Sequence, residues 1–78
     1  MIAAAQIKAA RALVGWSQPQ LVAASGVSLP TIVRMESASG PGRSSAANVD
    51  AVKRALEQAG VSFLDADETG GPGVRLRK

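Results

Sequence analysis

Seventy-eight residues make one small domain with one surface to work through, and although 46% of them are hydrophobic, fifteen are alanine and only 3% of the chain is aromatic. Such a composition favours closely packed helices over an immunoglobulin-like sandwich or a Rossmann unit, and the lack of any Cys or His removes disulfides, thiol chemistry, the commonest general base and the commonest neutral metal ligand, which argues against an enzyme. The net charge of +3 is unevenly spread: Lys8, Arg11, Arg34 and Arg43 face only Glu36 over residues 1–43, acids dominate 44–68, and Arg75, Arg77 and Lys78 end the chain, so one face should attract a polyanion.

Ala3, Ile7, Ala10 and Val14 recur at helical spacing with Lys8 pointing away, which predicts a first helix ending at Gly15. Ser17 reads as the N-cap of a second helix, and Gln20 three residues on completes a capping box. Pro19 then takes the second helical position, where a missing N–H costs no helical bond. This helix runs through Leu21, Val22 and Ala24 and stops at Gly26, which supplies a left-handed turn. Val27 alone separates that glycine from Ser28, the N-cap of a third helix over about 28–37 with Pro30 in its first turn.

Residues 37–44 read as a turn-rich loop. A fourth helix, capped near Ser45 or Asn48, carries Val49, Val52, Leu56 and Ala59 on one face, and Gly60 closes it. Beyond Gly60 the period shortens to 2. Val61 and Phe63 share one face of a first strand, Val74 and Leu76 one face of a second, and the turn formers between them predict a β-hairpin with a long loop. The expected organisation is therefore a helical domain over 1–60 and a hairpin over 61–78.

Lys8 and Arg11 interrupt the apolar N-terminal stretch, and no run approaches the roughly 18 apolar residues of a spanning helix, so the expected location is cytoplasmic, without a membrane partner. Asp65, Asp67, Thr69 and Gly70 match the first half of a calcium loop, but Leu76 stands where the closing Glu belongs. Gly70, Gly71, Pro72 and Gly73 lack the Gly-Lys-Ser/Thr ending of a phosphate loop. No metal and no cofactor is expected.

Two short helices joined by a glycine turn, the second capped by serine, follow the local pattern of a helix-turn-helix. The string Ile7-Lys8-x-x-Arg11-x-x-x-Gly15-Trp16-Ser17-Gln18-x-x-Leu21-Val22-x-x-Ser25-Gly26-Val27-Ser28-x-x-Thr31-Ile32-x-Arg34-x-Glu36 closely resembles the Xre/Cro-like helix-turn-helix family of phage repressors and bacterial regulators, over about residues 2–60. The resemblance implies a mainly α, four- to five-helix lambda-repressor-like domain with the C-terminal hairpin appended. It also implies a regulator that binds double-stranded DNA as a homodimer, with the third helix in the major groove.

Carried onto this chain, the resemblance makes Gln18 a phosphate contact that also buttresses the recognition helix. It makes Ser28 and Thr31 hydroxyl contacts, Arg34 a base reader and Arg43 a phosphate clamp. Ser17 is first a cap and secondly a candidate backbone contact. Leu29 and Pro30 stand where related repressors often carry polar base readers, and apolar residues there meet thymine methyls instead of forming bidentate hydrogen bonds. Arg11 and Glu36 match positions that form an internal ion pair, and Trp16 reads as core.

A lone two-stranded hairpin is marginal in water. Val61, Phe63, Val74 and Leu76 are therefore expected to join two copies across a two-fold axis as the dimerisation element, the alternative being that they rest on the chain's own helices. Three rival readings accompany the regulator. One is an antitoxin or phage-type repressor whose tail grips a second protein. Another is an interaction adaptor that has lost DNA affinity, for which Leu29 and Pro30 speak. The third, a membrane-surface peptide, has only Lys8 and Arg11 to support it.

Overall fold

Glycines at Gly15 and Gly26 adopt φ of 70° and 74°, a left-handed conformation that is costly for any residue with a Cβ, and they divide the N-terminal half into short helices. In the computed structural model, which describes residues 2–77, α1 spans Ala4–Val14, α2 Gln18–Ser25 and α3 Leu29–Met35. A 3-10 turn over Gly40–Arg43 leads into α4, Ala46–Gln58. The chain then forms two antiparallel strands, β1 (Val61–Leu64) and β2 (Gly73–Leu76). The described residues are thus mainly helical, with four α-helices and a C-terminal hairpin; Lys78, placed by the sequence in the basic tail, lies outside them.

The caps follow local chemistry. Ser17 Oγ accepts from the Gln20 N–H at 3.2 Å while Gln20 Oε1 accepts from the Ser17 N–H at 2.7 Å, closing the capping box. Ser45, and not Asn48, caps α4 by accepting from the Asn48 N–H at 3.1 Å. Ser28 occupies the N-cap of α3, yet its hydroxyl turns along the helix to Thr31 Oγ1, 2.9 Å away. Val27 and Ile32, before the cap and at the fourth helical position, are both buried and staple the entry to α3 instead.

The third helix is shorter than the 28–37 expected. The Ser37 N–H bonds to Arg34 O at 3.1 Å, and Ser37 Oγ donates to the same carbonyl at 2.6 Å, which tightens the chain out of the α-helix. The segment read only as a turn-rich loop contains the 3-10 turn, which buries Pro41.

Ile7 and Ala10 of α1, Leu21 of α2, Ile32 and Met35 of α3, and Val52 and Leu56 of α4 meet in one core. Each fully buried larger aliphatic contributes roughly 1.5–3 kcal/mol. Ala55 joins them, and Ala59, expected on the same face of α4, is only half-buried.

The hairpin belongs to this core. The register pairs Val61 with Leu76 and Phe63 with Val74, so the four apolar residues share one face, as the alternation reads. That face turns onto α1 and α4. Val61 is fully buried, Phe63 and Val74 pack against the helices, and Lys53 Nζ lies 6.0 Å from the Phe63 ring centroid. Val61, Phe63 and Val74 thus pack on their own chain. Among the four, Leu76 alone stays largely exposed, at 43%.

Gln6 locks the hairpin in place. Its side chain accepts from the Ala3 N–H at 2.7 Å and donates through Nε2 to Gly73 O at 3.0 Å and Leu64 O at 3.2 Å, one carbonyl on each strand. The residue is only 5% exposed, so all of its polar atoms must be satisfied inside the protein, as they are.

Asp67 shapes the loop between the strands. Its Oδ1 accepts from the Thr69 hydroxyl at 2.6 Å, the Thr69 N–H at 2.8 Å and the Gly70 N–H at 3.1 Å. This Asx turn gives Asp67 and Thr69 a backbone-shaping role in the loop. The Thr69 hydroxyl first, then the Thr69 N–H, holds the Asp67 carboxyl below its usual pKa. A lowered folded-state pKa gives a contribution present above the ordinary carboxylate value of about 3.9 and lost as the pH falls through the folded-state value. Acidification below about pH 4 is therefore expected to loosen residues 67–70 while the helices persist. Amide chemical shifts of Thr69 and Gly70 against pH check this, and shifts that stay flat to pH 2 would refute it.

Candidate functional site

A buried carboxylate joins the first three helices. The Glu36 side chain, just past α3, is 4% exposed and receives Arg11 from α1 in a bidentate pair: Nε to Oε2 and Nη2 to Oε1, both 2.7 Å. Arg11 Nη1 also donates to Trp16 O at 3.0 Å, and Gln18 Nε2, at the start of α2, donates to Glu36 Oε1 at 3.2 Å. The hydrogen bond to Glu36 outweighs burial and raises the Arg11 pKa. The ion pair expected from the resemblance is present. Gln18 is fixed by it, and Trp16 is half-buried against the core.

This brace sets the attitude of α3. Ile32 and Met35 face the core, while Ser28, Leu29, Pro30, Val33 and Arg34 are exposed and Thr31 lies at the boundary. Thr31 Oγ1 accepts from both Ser28 Oγ, at 2.9 Å, and Arg34 Nη2, at 3.3 Å, so three of the expected contact residues form one hydrogen-bonded string along the helix. Ser17 is exposed beside Gln18. Arg43 is exposed on the 3-10 turn, which packs against α3.

The electrostatics of this face follow from the burial of Glu36. It is the only acid in residues 1–43, and Arg11 neutralises it out of reach of solvent. Lys8, Arg34 and Arg43 remain exposed with no acidic partner among the described residues. Asp50, by contrast, pairs on the surface of α4 with Arg54 at 2.9 Å, an exposed i,i+4 contact of little energetic weight.

Two residues escaped the sequence reading. Gln6 was passed over because glutamine on a helix normally faces water, and its partners lie 58 and 67 residues away. Val33, exposed on α3, has no role in the sequence reading either. The available signal was that α3 carries two apolar stripes, Ile32 with Met35 and Leu29 with Val33, and so short a helix cannot bury both.

No family model matches this chain, and no curated protein matches it. Among the described residues, no helix is long and apolar enough to cross a membrane.

Proposed function

We propose that this chain is a sequence-specific regulator of the Xre/Cro-like helix-turn-helix type, with α2 and α3 as the two helices of the motif and α3 entering the major groove of double-stranded DNA. The observation that carries this reading is the outer face of α3: exposed, free of acids, and braced from behind by the Arg11–Glu36–Gln18 cluster. An α-helix with its side chains is about 10–12 Å across, which suits a groove about 12 Å wide.

The roles divide by position. Arg34 reads a base edge, with Ser28 and Thr31 adding hydroxyl contacts. Gln18, its Nε2 engaged with Glu36, keeps its backbone N–H for a phosphate, and Ser17 and Arg43 add contacts to the DNA backbone. One such motif reads only a few base pairs, so the fold acts best as a pair on two half-sites. Since Val61, Phe63 and Val74 pack on their own helices, a seam through the hairpin would rest on Leu76 and a free strand edge.

Selection and sequencing from a random duplex pool, followed by titration across salt, tests the reading. Enrichment of one sequence with a steep salt dependence supports it. Equal weak binding to every duplex marks an architectural protein, and no binding favours the adaptor. In the same assay Arg34→Ala is expected to weaken binding by about 1–3 kcal/mol and to relax preference at one position per half-site. Uniform weakening on all sequences would reassign Arg34 to a phosphate.

A further inference from the structure

The outer edge of β2 carries main-chain groups without partners. The Arg77 N–H donates to Gly60 O at 2.9 Å, which fixes the alternation of the antiparallel ladder. Gly60 with Arg77 and Ser62 with Arg75 are then the hydrogen-bonded pairs, so the N–H and C=O groups of Val74 and Leu76 point away from β1. Among the described residues nothing is hydrogen-bonded to those four groups. Buried main-chain groups seldom stay unpaired, so this edge faces solvent. Arg75 and Arg77 stand two apart on the strand, and both side chains leave the same face, exposed and with no acidic partner among the described residues. Leu76 turns to the other face, where it borders an open hollow lined also by Ala59 and Gly60.

We infer that the free edge of β2 docks an extended, acidic segment of another protein, which adds to the hairpin as a third strand. This does not depend on the DNA-binding reading. The chemistry of the edge selects the occupant. Its N–H and C=O groups alternate, which an extended peptide matches group for group and a phosphate backbone, offering acceptors alone, does not. The hairpin rests mainly on α1 and α4, whereas α3 rests mainly on α2 and the 3-10 turn, so the edge is built independently of the candidate DNA interface. Charge disfavours a second copy of this chain. A two-fold centred on the basic end of β2 sets Arg75 or Arg77 opposite an arginine of the other copy, and like charges directly opposite repel. An incoming strand with carboxylates at alternate positions meets both arginines as cross-strand pairs instead. The residue between those carboxylates shares the face of Leu76, where an aliphatic side chain fills the hollow. The recognised pattern is therefore acid, aliphatic, acid in extended conformation.

The test uses the full chain, isotope-labelled, with a capped peptide, Thr-Val-Asp-Val-Glu-Val-Thr, and its lysine counterpart, Thr-Val-Lys-Val-Lys-Val-Thr. The acidic peptide is expected to slow hydrogen exchange at the Val74 and Leu76 amides, and the lysine peptide to leave them unchanged. Arg75→Glu with Arg77→Glu, its fold checked by circular dichroism, should bind the acidic peptide on the order of tenfold more weakly and accept the lysine peptide in its place. An acidic peptide that leaves β2 unaffected, or that binds both forms of the chain equally, overturns the proposal. Protection of the same two amides that rises with protein concentration in the absence of peptide also overturns it, by giving the edge to a second copy. Displacement of the peptide by a random duplex overturns it by assigning Arg75 and Arg77 to nucleic acid. The reading of α3 is decided separately, by the selection from the random duplex pool, so failure of one is distinguishable from failure of the other.

Discussion

Glu36→Ala is expected to destabilise this chain by about 3 kcal/mol or more, a large share of the roughly 4–12 kcal/mol a domain of this length commands. The reason is asymmetry. Glu36 is almost fully buried and holds Arg11 through two hydrogen bonds and Gln18 through a third. Removing the carboxylate leaves the Arg11 guanidinium, itself mostly enclosed, without its counter-charge, whereas an apolar pair of similar volume would leave nothing unsatisfied. Arg11→Ala should cost a similar amount by stranding Glu36. Arg11→Met combined with Glu36→Leu should recover much of the loss. Thermal melts of the two single variants and the double one decide this: a loss of this size lowers Tm by about 12–24 °C in a chain this small. Small, additive shifts would show both residues to be merely solvated.

Val61→Ala and Gln6→Ala should each cost about 2–3 kcal/mol, for different reasons. The valine loses two buried methyl groups and leaves a cavity between α4 and the hairpin. The glutamine gives up three hydrogen bonds and leaves the Gly73 and Leu64 carbonyls without their donor. Both residues act within one chain, so the losses should not change with protein concentration. Melts over a hundredfold dilution, with sedimentation of each variant, make the comparison. A loss that grows on dilution would show instead that the hairpin is stabilised by a second copy.

Much of the first half of the molecule is legible residue by residue, because its signals act within a few positions. Gly15 and Gly26 end helices through backbone freedom, Ser17 and Gln20 cap each other three residues apart, and the 3.6 and 2.0 periods separate helices from strands. The Arg11–Glu36 pair is 25 residues apart and no local pattern discloses it; it came through the family resemblance. The face of α3 was only half legible, since its alternative apolar stripes are chemically equivalent and burial of one is decided by what it packs against.

By itself, then, the sequence determined the order and type of the helices and strands, the absence of thiol and imidazole side chains, and the concentration of positive charge in the first 43 residues. Only the tertiary structure decided where the hairpin rests. Its apolar face could have joined two chains or covered one, and period-2 alternation is identical in the two cases. In the folded chain Gln6 reaches both strands across most of the sequence and Val61 is buried in the core, so much of this face covers the chain's own helices. Such contacts are selected by shape and by the need to satisfy buried polar groups, properties of the assembled molecule that no run of neighbouring residues encodes.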